Sequence, residues 1–207
     1  AVEAFEGMDM RVESERVGDD AYLVKVRPGA HELELAGRLR RRRYRFKPGG
    51  IEFERCPGCG VPVDISRYHW DLGEGTITAT DTSRRVAVLG PQAIDAVFGD
   101  LEEEYGPEVS ETAVEAQRVF VKSRVSQEVV SGLAPSLPAL TALRGLGNVV
   151  RLEGGRGGVE MTIENACLPY LLVGMAKGLY ELFAGLDSSR HRWDLAEDGD
   201  LHVAVYA

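Results

Sequence analysis

Apolar residues repeat at period two over some stretches of this chain and at period three to four over others, and the alternation of the two sets out its elements. Residues 1–10 follow neither pattern and read as a lead-in, while Ala21 to Val26 reads as a first strand or a short amphipathic segment. Tyr44 and Phe46 alternate with Arg43, Arg45 and Lys47. Beyond the turn Pro48-Gly49-Gly50 comes Ile51-Glu52-Phe53-Glu54, so two paired strands are expected there with their apolar faces together. Tyr68 to Leu72, the turn Gly73-Glu74-Gly75, and Thr76 to Thr80 spell another hairpin, with glycine supplying the turn geometry. Val86 to Leu89 adds a short apolar strand.

Helical spacing then takes over. Gly90-Pro91 opens a helix carrying Ile94, Val97, Phe98 and Leu101 as far as Tyr105-Gly106, since proline fits the first helical turn. Its last turn holds Glu102, Glu103 and Glu104, the wrong sign for the helix dipole, so this end is expected to fray or to meet a basic partner. A long helix is expected from Pro107 or Ser110 to about Val130, with Ala113, Ala116, Val119, Phe120 and Val125 on one stripe. Prolines and glycines around Leu137, Leu140, Leu143 and Leu146 predict a short helix between hinges, a candidate lid. Val149 to Leu152, the turn Gly154 to Gly158, and Val159 to Ile163 form a hairpin whose glycines have neither a Walker lysine nor dinucleotide spacing. Leu168, Leu171, Leu172, Met175, Leu179, Leu182 and Phe183 then define a helix that Pro169 starts and Gly185 stops. Gly174 and Gly178 cost that helix roughly 1 kcal/mol each against alanine, which close packing of another backbone would offset, the other reading being a ligand channel.

Ser66 to Gly75 and Ser189 to Gly199 are also alike, each carrying Trp-Asp-Leu ahead of a polar turn and a β segment; both read as the same hairpin, reached twice by chance through good turn chemistry rather than by an internal repeat.

Composition narrows the class. The 207 residues are 44% hydrophobic and 28% charged, which suits a globular domain with a full core. No stretch approaches the ~20 apolar residues of a membrane span, and no secretory leader pattern is seen. Three cysteines build no disulfide framework, and a reducing cytoplasm is the expected compartment. A net charge of −9 opposes nucleic-acid binding. The basic run from Arg38 to Lys47 reads as a hairpin face paired with Glu52 and Glu54, the other reading being an anion-binding patch.

Candidate chemistry centres on Cys56-Pro57-Gly58-Cys59-Gly60, a turn that can aim two thiolates at one cation. Cys56 and Cys59 are therefore candidate ligands of a structural zinc ion. Three sources could complete the site: His69, Cys167, or the same pair from a second subunit. A redox-labile dithiol is the other reading of the pair, and Cys167 reads as a buried inert thiol. No nucleophile elbow is present, and His31, His191 and His202 sit in polar or alternating contexts, so no catalytic residue is assigned. Phe120, Leu172, Met175 and Leu179 could wall an apolar ligand pocket, with Trp70 and Tyr170 as polar-tipped contacts. The same residues suit an ordinary core.

The run from Val159 through Glu164-Asn165-Ala166-Cys167-Leu168-Pro169, the Gly174-containing helix, Glu181-Leu182-Phe183-Ala184-Gly185 and the Trp193 hairpin resembles the hydrocarbon-binding, four-vinyl-reductase domain family. The segment from the cysteine pair through Trp70-Asp71, Gly90-Pro91, Leu101-Glu102-Glu103-Glu104 and Glu115-Ala116-Gln117-Arg118 is similar to its cysteine-pair-containing bacterial and archaeal members. The resemblance implies an α+β domain whose helices and antiparallel sheet enclose an apolar cavity, used in the family to sense aromatic effectors or to assist bacteriochlorophyll synthesis. The expected architecture is thus an antiparallel sheet with helices packed on one face, forming a ligand-binding domain over residues 66–207. A β-hairpin and zinc-knuckle element precedes it over residues 1–65. The expected function is noncatalytic binding of an apolar, aromatic or lipid-like small molecule in a sensing, carrier or accessory role, with ligand contacts at Trp70, Phe120, Tyr170 and Met175. The alternatives are a reductase or accessory enzyme of aromatic or tetrapyrrole metabolism using a bound cofactor or metal, and a dimeric scaffold. A homodimer is compatible with all three.

Overall fold

A computed structural model describes residues 10–19, 21–29 and 46–207. The chain divides into two units, one of Ala1–Arg43 with Pro91–Val109 and the other of Tyr44–Gly90 with Ser110–Ala207. The protein is mixed α+β with antiparallel sheets, as expected from the resemblance.

In the first unit, β1 (Met10–Arg16) pairs antiparallel with β2 (Tyr22–Pro28). β2 covers the expected first strand; β1 lies almost wholly beyond the stretch read as a lead-in. The N–H groups of Val17 and Gly18 close the connecting turn onto Ala21 O. Helix α1 (Pro91–Tyr105) has the expected bounds, and its acidic end is closed by the Gly106 N–H on Glu102 O, with Gly106 at φ +88°.

The second unit holds two sheets. β3 (Tyr68–Asp71), β4 (Thr76–Ala79) and β5 (Arg85–Val86) form the smaller one in that order. Asp71 Oδ1 accepts from the N–H groups of Gly73 and Glu74, which sets the expected turn. The strand expected from Val86 to Leu89 stops short. Val86 faces Ile77, so the antiparallel register would place Val88 opposite Gly75, a turn residue at φ +64° with no strand to offer.

The larger sheet has β6 (Asn148–Gly155), β7 (Gly158–Glu164), β8 (Arg190–Leu195) and β9 (Leu201–Tyr206) in the order β6-β7-β9-β8. Met161 and Ile163 on β7 and Leu201, Val203 and Val205 on β9 are buried, while Glu160, Thr162, Arg192, Asp194 and His202 lie on the other face. One covered face and one polar face explain the period-two pattern. Helix α5 (Pro169–Ala184) supplies the cover, with Leu172, Val173, Ala176 and Tyr180 in the same core cluster. Burying one such aliphatic side chain is worth about 1.5–3 kcal/mol. Gly185 at φ +71° ends α5 with its N–H on Glu181 O, as the sequence places it.

Three expectations are corrected. Residues 46–54 form no strand, so the described half of the Arg-rich hairpin is absent; its members before Phe46 lie outside the described residues. Lys47 bonds Asp198 and Asp200 at 2.7 Å each rather than Glu52 or Glu54, and its N–H and C=O are both bonded by the Asn165 side chain, fixing this segment on the β8–β9 turn. The long helix is broken in two, α2 (Glu108–Arg124) and α3 (Gln127–Leu133). Ser126 is extended there, at φ −89° and ψ 159°, outside the helical range, so one helix ends and the next begins at this residue. A 3₁₀ turn (Ala134–Ser136) and α4 (Leu137–Leu143) follow where the short hinged helix is expected.

Gly174 and Gly178 mark the crossing of α5 over α2. A Cβ at Gly174 would run into Val114 O and lie 2.7 Å from Gln117 Cβ, and one at Gly178 would lie 2.9 Å from Val121 Cβ. Close helix–helix approach therefore accounts for both glycines.

Candidate functional site

The 3.6-residue period of α5 puts Ala176, Leu179, Tyr180 and Phe183 along one stripe, beside the edge of the β6–β7 hairpin. Leu152, Val159 and Met161 project toward that stripe from the hairpin, while Val130, Leu133, Leu137 and Pro138 flank it from α3 and α4. Between them lies a cavity of about 450 Å³ that is open to solvent on one side. Its rim needs glycine. Gly154 adopts φ +141°, and a Cβ there would strike the Val159 backbone at 2.7 Å, so the hairpin closes tightly only without a side chain.

The cavity has few polar groups. The Tyr180 hydroxyl is committed to Arg156 O at 2.8 Å. Glu153, at the rim, is exposed and pairs with Arg151 at 2.8 Å; that hydrogen bond holds its carboxyl below the usual range. Among the described residues, no lysine, arginine or histidine lies in the lining. An occupant would be held by burial of apolar surface, and a carboxylate near Glu153 would be repelled.

Beside the cavity runs a buried charge network. Glu181, on α5, is fully buried and accepts from Arg118 Nη1 at 2.6 Å, Lys122 Nζ at 2.9 Å and Ser189 Oγ at 2.8 Å. Burial pushes its carboxyl up, but the bonds from Lys122, Ser189 and Arg118 outweigh that and hold it below the usual range. Arg118 is raised by its bond to Glu115, while Lys122 also donates to Leu186 O and Asp187 O. The network fixes the rotation of α5 about its axis and so which residues face the cavity. His191 Nε2 lies 3.5 Å from Glu111 on α2, and burial lowers its pKa.

The residues expected to contact a ligand are dispersed. Trp70 and Phe120 are about half exposed, Phe120 beneath the Arg124 guanidinium. Tyr170 meets Trp193 edge-on at 5.5 Å, and Met175 packs against the core. None of the four lines the cavity, Leu172 is core, and Leu179 is the proposed wall residue that does line it. Sequence reasoning missed Ala176, Tyr180 and Phe183, although they share Leu179's helical stripe. It also missed Glu181, whose signal was a lone acid on an otherwise apolar helix face. Cys56 and Cys59 lie together on one turn, and no group of three or more metal-ligating side chains occurs among the described residues.

No family model matches the chain, and no curated protein does. Among solved structures it is similar to the phenol-responsive sensory domain of the transcription activator PoxR with phenol, at a TM-score of 0.50 and 13% identity over 69% of this chain and 86% of that one. This shows a shared fold. Weaker likenesses are to a Cs H-NOX mutant carrying 4-cyano-L-phenylalanine (TM-score 0.39, 14% identity, 60% of this chain and 77% of that one) and to a T. Tengcongensis H-NOX mutant (TM-score 0.38, 14% identity, 60% and 78%). At those scores neither bears on this chain. No described helix is long and apolar enough to cross a membrane.

Proposed function

We propose that the chain is a noncatalytic sensory or carrier domain that binds a neutral aromatic or other apolar small molecule between α5, the β6–β7 hairpin and the α3–α4 cover. The observation that carries this is the cavity of about 450 Å³ with its apolar walls and committed tyrosine hydroxyl. A cavity of about 150 Å³ is enough for benzene, and drug-sized ligands occupy about 300–1,000 Å³. The space therefore suits a bicyclic or alkyl-substituted ring better than a bare one. The phenol-sensing neighbour, which shares the fold, and the resemblance to the hydrocarbon-binding family are consistent with this reading. Binding would order the α3–α4 cover against α5, giving a sensor a structural change to transmit.

Isothermal titration with naphthalene-sized and alkyl-benzene compounds, alongside benzoate-type acids, tests the proposal. Saturable one-site binding of the neutral compounds, weak or no binding of the acids, and loss of binding in a folded Ala176→Trp variant are expected. Equal binding by wild type and variant would refute it.

A further inference from the structure

The loop from Arg55 to Pro62 is locked at its base. Arg55 and Pro62 form an isolated antiparallel bridge, Cys56 N–H donates to Val61 O and Gly60 N–H to Cys56 O, both at 2.8 Å, and the Arg55 guanidinium donates to Gly60 O at 2.9 Å. Gly60 turns the chain at φ +73°, which glycine adopts without steric cost. The consequence falls on the two cysteines. The Cys56 sulfur sits over this turn, 3.9 Å from where a Cβ on Gly58 would lie. Cys59 is exposed and Cys56 is partly so, leaving both sulfurs open to an ion from outside.

Such a turn supplies two of the four ligands of a tetrahedral zinc site. The chain's other described candidates do not complete it. Cys167 is tied at the start of α5 by its N–H to Leu146 O, His69 is on β3, and neither joins the pair in a ligand cluster. A second copy of the chain meets this need, because a two-fold axis through an ion brings in a second identical thiol pair.

We propose that Cys56 and Cys59 of two copies of this chain together bind one zinc ion in a four-thiolate site that joins a homodimer. The site is independent of the cavity.

The test is native mass spectrometry of the full chain, purified under reducing conditions with zinc chloride and freed of excess metal. A dimer carrying one zinc ion is expected, returning to zinc-free monomer with a chelator and re-forming when zinc is restored. Cobalt(II) in place of zinc should give the charge-transfer and visible bands of tetrahedral four-thiolate coordination. Cys59→Ser and Cys56→Ser should each abolish metal retention and dimerisation with far-UV circular dichroism and aromatic binding unchanged; the chelator titration reads the same loss in the unmutated chain should a variant fold poorly. One zinc per monomer, a dimer that survives metal removal, or a chain that retains no zinc would each overturn the proposal.

Discussion

Replacing Glu181 by glutamine keeps its shape and its contact with Ser189 but removes the charge that Arg118 and Lys122 face. Breaking a fully buried pair costs about 3–5 kcal/mol. Here Arg118 and Lys122 remain 16% and 25% exposed and keep other acceptors, so the loss is set by hydrogen bonds to a charged group, at about 2–3 kcal/mol. For a chain of this size that lowers Tm by about 4–12 °C. The pH dependence has a definite sign. The folded carboxyl titrates below its unfolded value of about 4.3, so its stabilisation is complete above that pH and is lost as pH falls through the folded value. Urea denaturation at pH 7 and at steps below pH ~4.3 should show the gap between wild type and Glu181→Gln closing with acid. A gap near zero at pH 7, or one that stays constant through the acid range, would refute this reading of the network.

The two kinds of helix glycine should respond in opposite directions. Gly174→Ala should destabilise by about 1–3 kcal/mol because its Cβ meets α2 backbone, outweighing the gain in helix propensity; Gly132→Ala, with open space around it in α3, should stabilise by about 0.4–1 kcal/mol, and thermal melts of both read the difference. Asn165→Ala removes two hydrogen bonds to the Lys47 backbone and places alanine at φ +52°, so a loss of about 2–3 kcal/mol is expected, with faster hydrogen exchange at the Lys47 amide. Unchanged exchange there would show that the segment is held elsewhere.

Where one periodicity ran unbroken between recognisable stops, the sequence was enough to place the element. Pro169 and Gly185 bound α5, the glycine turns set the β3–β4 and β6–β7 hairpins, and the two Trp-Asp-Leu segments do form like hairpins, with Trp70 opposite Ile77 and Trp193 opposite Val203. Reading was poorer where a distant partner decides. The Lys47 segment looks like a strand until Asp198, Asp200 and Asn165 claim its polar groups. Ser126 interrupts an apolar stripe that continues beyond it, and a stripe by itself does not show the break. The cavity illustrates the same limit. An apolar helix face shows which residues are buried, not which of them meet a void, so Met175 and Leu179, four residues apart on α5, end in the core and on the cavity wall.

The central claim is that the cavity takes an apolar ligand, and methyl-labelled NMR on the full chain tests it most directly. On titration with an alkyl-naphthalene, the methyl signals of Leu133, Leu152, Met161 and Leu179 should shift together and saturate, while those of Val114 and Leu201 in the solid core stay in place. Shifts confined to exposed residues such as Leu72 or Val88, or no saturable shift at all, would contradict it.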